Sequence, residues 1–268
     1  MRRVLALVLL SSCLFPNLGS LSGDDAGGSD ATTDVTNDGT PASDATSDGG
    51  PTDAGLDVKT SPCAVQHTFC DDFDDGSLGA RWDKTDNGGG GTLSQSSNAV
   101  TPPFSFQAQV PGGSNHPYAL LQKFLDASQH IHYECDIMII GSQSTSFELD
   151  YYDLAFKPAG YTYGNFNLER LNPGGTSEEI AMANGADADT YNDDNLTEEF
   201  TTWKHLVADV DFGKSTFTLI VDGATIDAMS MKPPLASAPS TLGVGLTYSA
   251  GLTATWTVLI DNVVIDVQ

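Results

Sequence analysis

From Thr68 to its end, the chain consists mainly of short runs in which apolar and polar residues alternate. In IHYECDIMII (131–140) every second residue from Ile131 is apolar, which is the period of a β-strand with one buried face. Clusters of Gly, Pro, Asn and Ser separate this run from its neighbours and predict turns. Runs of the same kind are FSFQAQV (104–110), YALLQKFL (118–125) and FELDYYDLAF (147–156).

The second half of the chain continues this pattern. WKHLVADVDF (203–212) and STFTLIV (215–221) are followed by Asp222-Gly223, which is a strong signal for a tight hairpin turn. No segment has a long helical period, and LTEEF (196–200) is long enough for one turn at most. Many short antiparallel strands predict an all-β fold, an antiparallel β-sandwich and most simply a jelly roll.

The first 12 residues have the pattern of a signal peptide. Arg2 and Arg3 form a charged start and Val4 to Leu10 a short apolar core. This apolar core is far too short to span a bilayer as a helix. We therefore expect residues 1–12 to be removed on export.

The segment LSSC (10–13) resembles the lipobox of bacterial lipoproteins, with small residues just before a cysteine. The resemblance implies that Cys13 becomes the first mature residue and carries the lipids, so that the chain meets the membrane only through this anchor. Leu14 stands where an inner-membrane retention signal would usually place Asp. The outer membrane or the cell surface is thus the expected location, and the alternative is an ordinary secreted protein cut nearby.

Residues 13–61 have the composition of a tether. From Ser20 onward this segment is rich in Asp, Gly, Ser and Thr, and it has too little apolar surface to offset the entropy of ordering it. Repeated Asp residues repel one another, so we expect a disordered, extended acidic linker. The remaining residues, 62–268, suffice for one β-sandwich domain.

The net charge of the chain narrows the choice of partners. The sequence has 36 Asp and Glu against 11 Lys and Arg, which gives a formal net charge of −25. A nucleic-acid partner would require a basic surface that neutralises phosphates. We therefore expect no nucleic acid among the partners of this protein.

Three cysteines remain after Cys13, an odd number for an oxidising compartment. Cys135 lies on the apolar face of its strand, which predicts a small buried hydrophobic residue. Cys63 and Cys70 are then expected to form a disulfide where the linker meets the domain. Their spacing, without a fourth ligand, does not suit a zinc site.

Several motifs in this order resemble a concanavalin A-like (laminin-G-like) jelly-roll domain. They are FCDDF (69–73) followed by Leu78 and Trp82, Trp203 at the start of a strand, the Asp222-Gly223 hairpin and IDNVV (260–264). The resemblance covers residues 66–268. The family includes lectins, glycan-binding modules, glycoside hydrolases and adhesion domains, so it implies a fold without choosing a function.

The segment FELDYYD (147–153) is similar to the Glu-x-Asp-x-x-Glu strand of laminarinase-type glycosidases. The resemblance implies Glu148 as nucleophile, Asp150 as helper and Asp153 at the acid/base position, where the family has Glu. Plain alternation places Asp153 on the opposite strand face from Glu148 and Asp150, so catalysis would require a bulge. The other interpretation is a polar strand face made of Glu148, Asp150 and Tyr152.

Two further sites follow from residue chemistry. Planar aromatic rings and carboxylates suit a sugar-binding face. The expected ligand-binding residues are Glu148, Asp150, Tyr152, Tyr161 and Tyr163. No cofactor is required by any motif. A structural Ca²⁺ held by Asp71, Asp72 and Asp261 is one interpretation of acids on apolar strand faces. Turn capping, or pairing with Arg81, is the other.

Together these features predict a surface-anchored lipoprotein whose sandwich binds extracellular or envelope polysaccharide without cleaving it. A laminarinase-type glycoside hydrolase that uses Glu148 and Asp153 is the first alternative. A structural or adhesive module that binds protein is the second.

Overall fold

A computed structural model describes residues 60–157, 161, 163–171, 175–184, 187–196, 198–230 and 237–268. The predicted signal peptide, lipidation site and nearly all of the acidic linker lie outside these residues. The part of the chain that is described contains one 3₁₀ turn at Pro62–Ala64 and fifteen β-strands. None of these residues forms a helix that could cross a membrane.

The strands form two sheets in which every neighbouring pair is antiparallel. Sheet A has the order β13 (Ala224–Ser230), β12 (Thr216–Val221), β11 (Lys204–Asp211), β6 (His130–Ile140), β15 (Trp256–Val267), β4 (Ser105–Val110) and β3 (Thr92–Ser96), and β1 (Phe69–Asp71) also pairs with β15. Sheet B has the order β10 (Asp187–Leu196), β9 (Thr176–Asn184), β8 (Tyr163–Leu171), β7 (Glu148–Phe156), β14 (Ser240–Ala250), β5 (Tyr118–Leu125) and β2 (Lys84–Gly88).

Consecutive strands repeatedly cross from one sheet to the other. The pairs β2–β3, β4–β5, β6–β7 and β14–β15 each have one member in each sheet, at corresponding positions of the strand order. The meanders β8–β10 and β11–β13 stay within one sheet. Crossing of this kind is typical of double-sheet jelly rolls, and the predicted all-β antiparallel sandwich is confirmed.

Aromatic side chains fill the space between the sheets. Tyr133 of sheet A lies 5.0 Å from Tyr152 of sheet B, measured between ring centroids, and Phe217 lies 3.6 Å from Phe166 in the same way. All four rings are almost completely buried. Cys135 is also fully buried and is not in a disulfide, as its strand face predicted.

The first strand is fastened to the last one. β1 pairs with β15, and Cys63 and Cys70 form the predicted disulfide, with their Cα atoms 5.5 Å apart. The indole N–H of Trp82 donates a 2.8 Å hydrogen bond to Asp71, and the Trp82 ring packs edge-on against Phe69 at 4.9 Å. The FCDDF and Trp82 motif thus closes one edge of the core.

Four of the five histidines contact carboxylates across sheet A. These contacts are His67 with Asp266 at 2.8 Å, His130 with Asp209 at 3.1 Å, His132 with Asp209 at 2.9 Å and His205 with Asp136 at 3.1 Å. Hydrogen bonds with Asp209 and then Glu134 raise the pKa of His132 to about 10. Hydrogen bonds with Asp136 and then Glu134 raise the pKa of His205 to about 9.

These pKa values predict that the protein loses stability as the pH rises through the alkaline range. A histidine with a raised folded-state pKa stabilises the fold fully below its unfolded value, about 6.5. That contribution disappears as the pH rises towards 9 for His205 and 10 for His132. A half-buried pair is worth about 1 kcal/mol after solvent screening, so we expect Tm to fall by about 2–4 °C per pair.

Thermal unfolding of the full chain at pH 6.5, 8 and 9.5 tests this expectation. His132→Gln should flatten the decline, because the substituted side chain does not titrate. A wild-type Tm that stays constant or rises between pH 6.5 and 9.5 would contradict the prediction.

Candidate functional site

A β-bulge in β7 determines which of its side chains leave the core. The ladder between β7 and β8 pairs Asp150 with Glu169 and then Tyr152 with Leu168, so Tyr151 is an extra residue. An extra residue shifts the alternation of side chains by one position. Tyr151 and Tyr152 are consequently both buried, and Asp150 and Asp153 are on the same, outer face of sheet B.

This bulge corrects two expectations from the sequence. Tyr152 was predicted to share a polar face with Glu148 and Asp150, but it is 1% exposed and packs against Tyr133 of the opposite sheet. Asp153 was predicted to face away from those two acids. The bulge that catalysis requires is therefore present, although nothing in the amino-acid pattern indicates it.

Three carboxylates on this outer face form what we call the acidic cluster, made of Glu148, Asp150 and Glu169. One ligand oxygen from each lies within 4.8 Å of the others. Burial raises the pKa of Asp150 well above its usual range, and the charges of Glu148 and Glu169 raise it further, followed by those of Asp153 and Glu179. The cluster therefore holds several like charges at short range.

Two asparagines on β8 lie against these acids. The Asn167 amide donates a 3.3 Å hydrogen bond to Asp150, and the Asn165 amide donates one of the same length to Asp153. Burial raises the pKa of Asp153 to about 6, against the effect of the bond from Asn165. The Oδ1 atoms of Asn165, Asn167 and Asp150 are buried and find no hydrogen-bond partner within the described part of the chain.

Exposed aromatic rings flank the acids. Tyr248 of β14 pairs with Asp150 in the ladder, is 38% exposed and stacks on His116 with the ring centroids 5.2 Å apart. Tyr163 at the start of β8 is 44% exposed, and it shares the face of Asn165 and Asn167 by strand alternation. The face therefore combines hydrogen-bonding groups with flat apolar surfaces.

A glycine lies opposite Asp153 in the neighbouring strand. The ladder partner of Asp153 on β14 is Gly243. A Cβ atom at this glycine would approach Leu120 and Thr247 to 3.2 Å, so a larger residue would crowd the face. The side chains of Leu120 and Thr247 thus cover this position.

The predicted tyrosines have different outcomes. Tyr163 presents an exposed ring on the outer face of sheet B, as a ligand-binding residue requires. Tyr161 lies in the loop after β7, is half-buried and packs against the core. It therefore offers less free ring surface than expected.

Asp71, Asp72 and Asp261 are not brought within reach of one shared ion, and Asp71 and Asp261 have the turn-capping role that the sequence left open as the alternative to calcium. Asp71 accepts hydrogen bonds from the backbone of Phe73 and from Trp82, and Asp261 accepts bonds from the backbone N–H groups of Val100, Thr101 and Asn262. Donors already satisfy these oxygens. Across the described ranges, the acidic cluster is the one group of three acid, His or Cys side chains close enough to share an ion, and it does not include Asp71, Asp72 or Asp261.

Sequence reasoning missed Glu169 and Tyr248. The alternation in YGNFNLER (163–170) places Glu169 on the face of Asn165 and Asn167, so this signal was available. Tyr248 has no comparable signal, because the register of β14 with β7 shifts between Val244 and Tyr248. A shifted register moves a side chain to the other face without a change in composition.

Comparison with known proteins supports the fold. No protein-family model and no curated protein matches the sequence. The chain is similar to the solved structure of the cellulose induced protein Cip1, with 13% identity over 74% of this chain and 96% of that chain, and a TM-score of 0.50. At this identity the likeness shows a shared fold alone.

Two other similarities are weaker. A sialidase has 13% identity over 69% of this chain, with a TM-score of 0.43. The binding domain of botulinum neurotoxin DC has 11% identity over 68% of this chain, with a TM-score of 0.46. The chain covers 17% and 43% of those two structures, which is less than half of their length.

The crowding of charge predicts that Asp150→Asn stabilises the metal-free protein. The substitution keeps the shape of the side chain and removes a carboxyl group whose raised folded-state pKa costs stability at pH 8, where the unfolded carboxyl is fully ionised. We expect Tm to rise by about 2–4 °C, or about 1 kcal/mol, in unfolding scans at pH 8 with EDTA. Asp126→Asn removes a charge from an exposed loop and should leave Tm unchanged. A lower Tm for Asp150→Asn would mean that the carboxylate is stabilising.

Proposed function

We propose that this protein is an exported lipoprotein, anchored through Cys13, whose concanavalin A-like sandwich binds carbohydrate without cleaving it. The predicted acidic linker would hold the domain away from the membrane. The binding site is the outer face of sheet B. The observation that carries the proposal is the combination on this face of exposed aromatic rings with amide and carboxylate groups.

The aromatic rings have a spacing that suits an extended ligand. Tyr248 is level with Asp150 and Glu169, and Tyr163 lies six residues from Glu169 along β8. At the rise of a β-strand this separation is about 20 Å. A chain of sugar rings could contact one aromatic ring at each end, with Asn165 and Asn167 between them as hydrogen-bonding groups.

The charge of the face narrows the class of carbohydrate. Its acids are Glu148, Asp150, Asp153, Glu169 and Glu179, and the whole chain is strongly acidic. Uronic-acid or sulfated polymers would be repelled by such a surface. A neutral polysaccharide is therefore the expected ligand.

Binding of neutral polysaccharides by the full chain tests this function. We expect retarded migration in native gels that contain a neutral β-glucan, mannan or xylan, and no retardation in gels with alginate. Tyr163→Ala and Tyr248→Ala should each weaken binding at least about tenfold, because stacking area is lost. Val65→Ala is the matched control, since Val65 is 65% exposed and lies outside sheet B. Equal retardation of all three variants would contradict the proposed face.

A glycoside hydrolase is the second candidate, and the β7 bulge favours it. The bulge places Glu148, Asp150 and Asp153 on one face, as the Glu-x-Asp-x-x-Glu resemblance requires. Asp153 is nevertheless one methylene shorter than Glu, and a displacement of about 1 Å can lower a rate about a hundredfold. Retaining hydrolysis also needs two carboxyl groups about 5–5.5 Å apart.

Release of reducing ends from the same polysaccharides separates the two candidates. For a binding protein we expect no release from the wild-type chain. For a hydrolase, Glu148→Gln should abolish release and Asp153→Glu should increase it, because that substitution restores the missing methylene. Release that persists in Glu148→Gln would indicate a contaminating enzyme and leave the binding function in place.

A further inference from the structure

Two oxygens at the acidic cluster, one of Asp150 and one of the neighbouring Asn167, are not satisfied by the described residues. Asp150 is 9% exposed and Asn167 is 4% exposed, and the Oδ1 atom of each lacks a hydrogen-bond partner among the described residues. A buried unsatisfied oxygen costs about 1–3 kcal/mol, and more when it carries charge. A ligand that accepts electron pairs from these oxygens would remove this cost.

The separation of the carboxylates fits one bound ion. Two oxygens that coordinate the same Ca²⁺ at about 2.4 Å lie at most about 4.8 Å apart. Oxygens of Glu148, Asp150 and Glu169 meet this condition, because all of them lie within 4.8 Å of one another. Asn167 lies beside the same oxygens, since its Nδ2 atom donates to Asp150 at 3.3 Å. Rotation of the amide about its last side-chain bond would exchange the nitrogen for the Oδ1 atom, which an ion would then bind.

The donors define the kind of ion. The cluster and Asn167 offer carboxylate and amide oxygens, and hard cations prefer such ligands. No thiolate or imidazole belongs to the cluster, which argues against zinc or copper. Ca²⁺ accepts six to eight oxygens in flexible geometry, whereas Mg²⁺ demands a near-ideal octahedron. The three carboxylates lie on two neighbouring strands, β7 and β8, whose geometry imposes no octahedron. Ca²⁺ therefore suits this site better than Mg²⁺.

Two basic residues of the described ranges, His116 and Arg170, adjoin the acidic cluster. Burial raises the pKa of Glu148, and His116 partly offsets this increase. The His116 ring also stacks on the Tyr248 ring. Arg170 follows Glu169 in β8 and places its guanidinium over the Trp256 ring at 5.4 Å, and Trp256 is buried in the core. Arg170 therefore directs its charge towards the core and not towards the outer face of sheet B.

We propose that Glu148, Asp150 and Glu169, with the Oδ1 atom of Asn167, form a binding site for Ca²⁺ on the outer face of sheet B. The ion would bridge β7 and β8 next to the bulge. It would occupy the carboxylate that the glycosidase hypothesis uses as nucleophile. The proposal does not depend on carbohydrate binding, because the ion is recognised by the protein alone.

Calorimetric titration of the chelator-treated full chain with CaCl₂ tests the site in the absence of any polysaccharide. We expect one Ca²⁺ per chain with a Kd below about 1 mM, and a Tm increase of about 5–10 °C at 100 times Kd. Asp150→Asn and Glu169→Gln should each weaken binding at least tenfold. MgCl₂ should bind at least tenfold more weakly than CaCl₂.

Controls distinguish this site from general attraction of cations to an acidic protein. Asp126→Asn should bind Ca²⁺ like the wild type, and so should Asp71→Asn at the site predicted from the sequence. If Asp150→Asn does not fold by circular dichroism, Glu169→Gln and Asn167→Ala test the same ligands. Absence of saturable binding, or unchanged affinity in these variants, would overturn the proposal. Neither result bears on polysaccharide retention, which is measured separately with EDTA present.

Discussion

One extra residue in β7 determines the chemistry of sheet B. Tyr151 opposes no residue of β8, so the alternation of side chains changes phase between Asp150 and Tyr152. Upstream, Glu148 and Asp150 face outward; downstream, Tyr152 enters the core and Asp153 faces outward. Without the bulge, Tyr152 would leave its packing against Tyr133, and a carboxylate would enter the sandwich, where burial without a partner is costly.

Buried carboxylates have different hydrogen-bond partners in the two sheets. On the side of sheet A, Asp71 and Asp261 are surrounded by backbone and indole N–H donors, which compensate for burial. On sheet B, Asp150 has one long bond from Asn167 and several acidic neighbours. The first arrangement is complete without a ligand, whereas the second leaves acceptor capacity unused. Unused capacity to accept hydrogen bonds or a cation is what distinguishes the acids of the proposed Ca²⁺ site from acids with a structural role.

Much of the fold follows from the sequence, and less of the site does. Some features depend only on residues that are close together in the sequence, and these were predicted correctly. They are the period-two alternation in 131–140, the Asp222-Gly223 turn and the disulfide between Cys63 and Cys70. The bulge at Tyr151 and the register shift before Tyr248 depend on the partner strands, so the sequence of one strand does not reveal them. The same limit left a metal open as one interpretation of Asp261, because two of its donors, Val100 and Thr101, are about 160 positions away in the sequence.

The pairing of the first strand with the last has a mechanical consequence. In a chain held by its N-terminus, tension would pass along the linker to Cys63 and then through the disulfide to Cys70. Residues 64–69 would lie in parallel with this covalent path and carry little load. The force would enter at Cys70, in the middle of β1 and opposite Val264 in β15. The load would thus pass from β1 to β15, in which all residues from Trp256 to Ile265 are buried.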